Sequence, residues 1–283
     1  MKIYGLLITK DDEAIFAEWC REQLRLYDAV ICLDGSQSDA TARIAGAFAE
    51  RLVYVHEREA GVVQKTDHGL RRVVHREIVR RFGVDNWVMC CHADEFCYHD
   101  PRKIAQEAVR NGYDQVSWYS LHFYPHPSEL ADWQQRVSLP LRQRIRHYHW
   151  NYSGTGLPWR EDRLYRNGAS VSWDETTHGS VHPHGTRSLA PFHPILLHYK
   201  VFTTDLNWYQ ANGTHTLYRS HWAENQHRTG LPFRVERPED LFVASIPKYG
   251  CCDRLEDRIE QPWNMGEQYR PERRRALKPL RPE

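Results

Sequence analysis

Trp87-Val88-Met89-Cys90-Cys91-His92-Ala93-Asp94-Glu95-Phe96 is the stretch on which the fold turns. From Trp87 to Cys91 there is no polar break, as in a strand buried on both faces of a parallel sheet. The run then empties into an imidazole and two adjacent carboxylates, groups that are costly to bury without partners. A hard divalent cation, Mg²⁺ or Mn²⁺, holding phosphates is a partner that such oxygen ligands suit. A helix cap or surface turn is the plainer explanation of the Asp-Glu pair taken alone.

Upstream, apolar runs recur at β-α spacing. Ile3 to Thr9 predicts a first strand, Ala29 to Leu33 a second and Leu52 to His56 a third. Between them, Asp11 and Asp12 can cap a helix carrying Ile15, Trp19 and Leu26, and Ser38 or Asp39 one carrying Ile44, Ala47 and Phe48. A loop containing Gly61 leads to an arginine-rich helix over about 66–81, and Trp87 then starts the fourth strand. Downstream, Pro101 opens a helix, and Tyr113 to Phe123 reads as a long strand. This alternation predicts an α/β fold: an open, mostly parallel, Rossmann-like sheet with helices on both faces. Ligands of such sheets bind beyond the carboxyl ends of the strands. Three polar clusters fall there: Thr9 to Asp12, Asp34 to Asp39, and His92 to Glu95.

The rhythm breaks near Pro125. Residues 125–160 are rich in Arg, His, Trp and Pro, with no clean period. Arg163 to Tyr165 and Ala169 to Trp173 predict two short strands about the Asn167-Gly168 turn. His193 to Lys200 holds another apolar strand, Thr204 to Asn225 reads as a helix, and an Arg- and Pro-rich tail follows Gln261.

Composition narrows the function classes. With 38 Lys+Arg against 37 Asp+Glu, no global field pulls the chain onto nucleic acid or an anionic membrane. The 17 His, 10 Trp and 15 Tyr suit stacking, metal ligation and proton transfer, although for any single His compositional drift is the plainer explanation. Seven Cys with no C-x-x-C fit neither a zinc ribbon nor a secreted disulfide framework, so a reducing, cytoplasmic setting is expected. No apolar stretch reaches the length of a membrane span, and the N-terminus lacks a signal-peptide pattern.

Three motifs in order resemble the family-2-like glycosyltransferases of GT-A fold. Asp12-Glu13 with Glu18-Trp19 follows the first strand, Asp34, Ser36 or Ser38, Asp39 and Thr41 in LDGSQSDAT follow the second, and His92-Ala93-Asp94-Glu95-Phe96 follows the fourth. The match is close over roughly the first 125 residues and loose beyond. It implies a nucleotide-sugar-binding half at 1–125, an acceptor-binding half completing the same GT-A domain at 126–260, and a tail at 261–283. It also implies a metal-dependent hexosyl transfer from a nucleotide-diphosphate sugar, a UDP-sugar by default, to an acceptor hydroxyl with inversion. Mn²⁺ or Mg²⁺ is the expected cofactor.

The resemblance assigns roles by position. Asp34 would bond the base or ribose, Asp94 would bind the metal, and Thr9 and Lys65 would lie about the nucleotide. His92 stands where the family usually has the first Asp of D-x-D, and can bond ribose or phosphate instead. His198, in Leu196-Leu197-His198-Tyr199-Lys200, fits the family's late H-Y pattern and would be a further metal ligand; His178, His182, His184 and His193 are its rivals. Arg163-Leu164-Tyr165-Arg166, then Trp173 to His178, match an R-x-x-R segment ending in His; relatives often place Glu next, where this chain has Gly179. The general base is therefore expected at Asp174 or Glu175.

Trp118, His122 and Tyr152 are candidate acceptor contacts, the acceptor being a glycan or a hydroxymethylated DNA base. The basic, aromatic run Arg142 to His149 suits a phosphorylated or nucleic-acid acceptor. Two other readings remain open: a metal-dependent phosphohydrolase or pyrophosphatase using the same Asp/His cluster, and a nucleotide-binding GT-A scaffold without turnover.

Overall fold

The computed structural model describes residues 1–57, 69–124, 139–145, 147–150, 160–173, 183, 185, 188–199 and 249–251. These fall in two compact units. The first holds the described residues up to 120 together with 160–173 and 188–198. The second holds 121–124, 139–145, 147–150, Tyr199 and 249–251.

In the first unit, β1 (Ile3–Thr9) is buried at every position, as its unbroken apolar run requires. It lies between two parallel neighbours. Tyr4–Thr9 pair with Ala29–Asp34 of β2 (Ala29–Asp34), and Ile3–Ile8 pair with Trp87–His92 of β4 (Asn86–His92). β3 (Leu52–His56) extends the sheet beyond β2, also parallel. The chain thus winds outward from β1 to β3, then returns to the other side of β1. The order β4-β1-β2-β3 puts a topological switch point between β1 and β4.

Helices cover both faces. α3 (Gly69–Phe82) packs Val74 and Ile78 against Tyr4, Leu6, Ile8, Ile31, Leu33, Val88 and Cys90. Those strand residues alternate with Leu7, Cys32 and Cys91, which are also buried, so the opposite face needs its own cover. α1 (Glu13–Gln23) supplies it with Ile15, Phe16, Trp19 and Cys20 buried at helical spacing. The residue after its short 3₁₀ extension, Tyr27, accepts a hydrogen bond from Cys91 Sγ at 3.4 Å. α2 (Ala40–Gly46) links β2 to β3. α4 (Pro101–Arg110) opens with proline in its first turn, Asp100 accepting the Arg102 amide at 2.8 Å, and buries Ile104, Ala105 and Ala108.

The sheet continues past β4 in the antiparallel sense. β8 (Arg160–Asn167) sets Leu164–Asn167 against Asn86–Met89. β6 (Gln115–Tyr124) pairs its first half, Gln115–Tyr119, with the other edge of β8. Two short strands lie off this path, β5 (Glu95–Cys97) and β9 (Ile195–Tyr199), antiparallel to each other. The second unit contains the end of β6, paired with β7 (His147–Trp150), which also carries β10 (Tyr249–Cys251). There α5 (Leu141–Arg144) brings Arg142 over Tyr199, which stacks on Phe123.

Two local expectations are corrected. No hairpin forms about Asn167-Gly168: β8 is a single strand reaching back to Arg160, and only an isolated bridge remains at Ser172. Its partners are β4 and β6, so both edges of the strand are paired, where a return strand would pair only one. Asp12 takes the N-cap position of α1, yet no side-chain capping bond is made; its Oδ2 accepts from Thr9 Oγ1 at 2.7 Å and the Lys10 amide at 3.3 Å. The helix over 66–81 begins in the described residues at Gly69, and the one expected over 204–225 lies outside them.

Candidate functional site

The carboxyl ends of β1 and β2 meet in a stitched polar floor. The Gly35 amide donates to Thr9 O at 3.0 Å, and the Asp11 amide to Ser36 Oγ at 2.8 Å. Ser36 donates from both its amide and its hydroxyl to Asp34 Oδ1, at 2.9 and 2.6 Å. From β3, Tyr54 OH donates to Asp34 Oδ2 at 2.5 Å, and His56 Nε2 lies 2.7 Å from Ser36 O. Asp34 thus has both oxygens engaged and no exposed surface. Burial, followed by the Asp34 bond, pushes the Tyr54 hydroxyl far above the ordinary tyrosine range. Asp11 closes the loop in the left-handed region, φ +54, a conformation Asp tolerates better than most residues.

On the other side of the switch point, β4 ends at His92 and the chain turns into β5. The turn places Asp94 and Glu95 opposite β9. Register pairs Glu95 with His198, and residues directly opposite share a face. His198 Nε2 then lies 3.3 Å from Asp94 Oδ2, and its Nδ1 lies 3.4 Å from Glu95 Oε1. The Trp19 indole N–H donates to Glu95 O at 3.0 Å and ties the turn to α1.

Glu95 is itself held by charge. Arg163 of β8 reaches Glu95 Oε1 at 2.6 Å and Glu161 Oε2 at 2.6 Å through one terminal nitrogen, and His92 Nδ1 sits 3.5 Å from Glu95 Oε2. Burial pushes the Glu95 carboxyl up, but Arg163, His92 and His198 together outweigh it and hold it well below the usual carboxylate range. The same contest, burial against Arg163, leaves Glu161 at about 2. Arg163 is buried, and its two carboxylates outweigh the burial penalty, so it stays charged.

No family model matches this sequence, and no curated protein does. Among solved structures, one described as a glucose-1-phosphate thymidylyltransferase from Bacillus anthracis in complex with a sucrose is similar at 11% identity and a TM-score of 0.29. The similarity covers 45% of this chain and 57% of that one.

Of the expected site residues, Thr9 and Asp34 meet in the floor, while His92, Asp94 and His198 meet around Glu95. Trp118 lies on β6 with its ring buried at 1% exposure, so it offers no stacking face to an acceptor. His122 lies opposite His149 in the β6–β7 pairing. His193 packs edge-on to Tyr119 with Nδ1 3.4 Å from Ser117 O. Lys65, Tyr152, Asp174, Glu175, His178, His182 and His184 lie outside the described residues.

The donor chemistry at Asp94 and His198 fits a divalent cation that accepts both oxygen and imidazole nitrogen, Mn²⁺ more readily than Mg²⁺. Among the described residues, no group of three or more His, Cys, Asp or Glu is arranged to hold one by itself. Phosphate oxygens would have to complete the coordination. No helix among the described residues is long and apolar enough to cross a membrane.

Arg163, matched only through its R-x-x-R segment, and Glu161, Tyr54 and His56 join these clusters without having been assigned to them from sequence. A signal existed for the first two. Glu161 and Arg163 alternate at period two with Tyr165, which marks one face of a strand bearing opposite charges.

Proposed function

We propose that this chain is a glycosyltransferase that moves a hexose from a nucleotide-diphosphate sugar, a UDP-sugar by default, to an acceptor hydroxyl. The observation that carries this reading is the approach of Asp94 and His198, 104 positions apart, to 3.3 Å beside the switch point of the sheet. An acid and an imidazole converging at that edge, next to the floor of Thr9 and Asp34, suit a diphosphate and the cation that accompanies it.

Asp94 and His198 would hold Mn²⁺ or Mg²⁺, which when bound supplies positive charge to the departing nucleoside diphosphate. The loops ending β1 and β2 would receive the nucleoside, with Lys65 beside its phosphates. Asp174 or Glu175 would take the proton of the acceptor hydroxyl as it attacks the anomeric carbon, inverting it. A glycan is the preferred acceptor class, and a hydroxymethylated DNA base the alternative.

Titration of the full chain with UDP, with and without Mn²⁺, followed by a panel of nucleotide sugars, tests this. Wild type should bind UDP in a Mn²⁺-dependent manner, and Asp94→Asn should lose at least tenfold in that binding with its fold intact. Equal Mn²⁺-dependent binding by Asp94→Asn, or no binding of any nucleotide by wild type, would overturn the assignment.

A nucleotide-binding scaffold without turnover is the second reading. It is favoured by the engagement of Glu95, the second acid of the pair, with Arg163. Tight nucleotide binding without transfer to any acceptor would support it. Rapid phosphate release without acceptor would instead point to a phosphohydrolase.

A further inference from the structure

The pairing of β6 with β8 buries hydrogen-bond donors that have nothing to donate to. Trp118 Nε1, Arg163 Nε and Arg163 Nη1 make no hydrogen bond among the described residues. Trp118 is 1% exposed and Arg163 2%. Native interiors seldom leave such N–H groups unmet. Register brings the two residues to one place. Trp118 stands directly opposite Glu161, so these side chains share a face. β8 bulges beside them: Val116 pairs with Leu164 and Ser117 with Asp162, which leaves Arg163 as the extra residue. Bulges re-aim side chains, and here Arg163 Nη2 reaches Glu161 Oε2 at 2.6 Å.

Glu161 opens this face to solvent. Its side chain is 27% exposed, against 2% for Arg163. Arg163 holds its carboxyl at about 2 against the effect of burial, so it is ionised. An ionised carboxylate accepts and cannot donate, whereas indole and guanidinium N–H groups donate and cannot accept. Arg163 is already shared by Glu95 and Glu161, so it has no surplus charge to hold an anion. A cation would be turned away by the N–H groups. A neutral hydroxyl, which donates and accepts at once, satisfies both kinds of partner.

We propose that Glu161, Trp118 and Arg163 form a subsite for sugar hydroxyls, with Glu161 accepting from the sugar while Trp118 Nε1 and Arg163 donate to it. This takes the class of ligand from the glycosyltransferase reading and rests on it to that extent. Trp118 acts here through its N–H and not through its buried ring face. The hydroxyls belong to the donor hexose or to a saccharide acceptor, and the chemistry of recognition is the same for both.

The test uses the full chain as wild type, Trp118→Phe, which keeps a buried ring and removes the donor, and Glu161→Ala. The indole ¹H–¹⁵N signal of Trp118, assigned in wild type by triple-resonance spectra, is followed during two titrations. One uses glucose, galactose and their methyl glycosides. The other uses UDP, UDP-glucose and UDP-galactose with Mg²⁺. Calorimetry gives the affinities. The signal should move with at least one sugar-bearing probe and stay still with UDP. Affinity for that probe should fall about 2- to 10-fold in Trp118→Phe and about 10- to 100-fold in Glu161→Ala, with UDP affinity unchanged. Movement with nucleotide sugars alone assigns the hydroxyls to the donor, and movement with free sugars assigns them to the acceptor.

A Trp118 signal unmoved by every sugar would overturn the proposal, and that measurement needs no variant. So would equal sugar affinities in all three proteins. Should UDP bind while no sugar moves the signal, the nucleotide reading stands and the subsite falls. Should free sugar move the signal while no nucleotide binds, the subsite stands and the glycosyltransferase reading falls.

Discussion

Arg163→Met removes a cation that lies 2.6 Å from both Glu95 and Glu161, while keeping a long, unbranched side chain in its place. Breaking a buried ion pair by deleting one partner costs about 3–5 kcal/mol, because the other charge stays buried. The Glu95 side chain, 1% exposed, belongs at the upper end of that range, whereas Glu161, 27% exposed, recovers hydration and adds less. A net loss of about 4 kcal/mol is expected, a large part of an ordinary domain's stability of about 5–15 kcal/mol.

The sign of the pH dependence gives a second check. In wild type the folded Glu95 carboxyl lies below its ordinary 4.5, so its contribution is present above that pH and is lost as the pH falls below it. In Arg163→Met, burial is no longer outweighed by the guanidinium. With only His92 and His198 left to oppose burial, the folded carboxyl titrates higher than in wild type, so the variant loses less stability than wild type as the pH falls. The gap between the two proteins should therefore narrow on acidification. Urea unfolding followed by tryptophan fluorescence at neutral and mildly acidic pH measures it. Adding Glu95→Gln to Arg163→Met should restore at least half of the loss. A loss below about 1 kcal/mol, or a gap of constant size across pH, would refute the claim that Arg163 neutralises Glu95.

Other consequences can be measured separately. A Cβ on Gly5 would meet Val30 Cγ2 at 2.7 Å in the centre of the sheet, so Gly5→Ala should destabilise by about 1–3 kcal/mol, read as a lower thermal midpoint. His99 Nδ1 accepts the Ile195 amide at 3.1 Å, and burial pushes His99 down from 6.5 to about 4. Its contribution is complete above 6.5 and falls as the pH drops toward 4, by at most about 3 kcal/mol; His99→Gln should flatten the unfolding free energy over that window. Cys20, Cys32, Cys90 and Cys91 are buried with burial-raised thiols, so a thiol reagent should label them only after urea is added, as peptide mapping would show.

The parallel core was legible because strands buried on both faces must be apolar throughout. Ile3–Thr9 and Leu52–His56 have the expected bounds, and β2 and β4 differ from expectation only at their ends. The β5–β9 pairing was hidden. Glu95–Cys97 is too short to show alternation, and its partner comes about a hundred residues later. β8 was only partly visible, because Arg-Glu-Asp-Arg-Leu-Tyr-Arg-Asn reads as a polar loop with a short apolar middle. It is tolerated in the sheet because Arg163 and Glu161 neutralise each other, and Gln115 and Ser117 donate to Asp162. The convergence of Asp94 with His198 followed from sequence only through resemblance, since spacing alone offers no route from one to the other.

The antiparallel insertion of β8 also sets an order on synthesis. β4 emerges from the ribosome with one flank paired to β1, but its other flank waits for Leu164 to Asn167. Until then the nascent chain carries a bare, strongly apolar ribbon at Trp87–Cys91, the kind of surface that recruits holdase chaperones or templates aggregation. A chain halted near residue 150 should therefore be insoluble, although every strand of the parallel core has already been made.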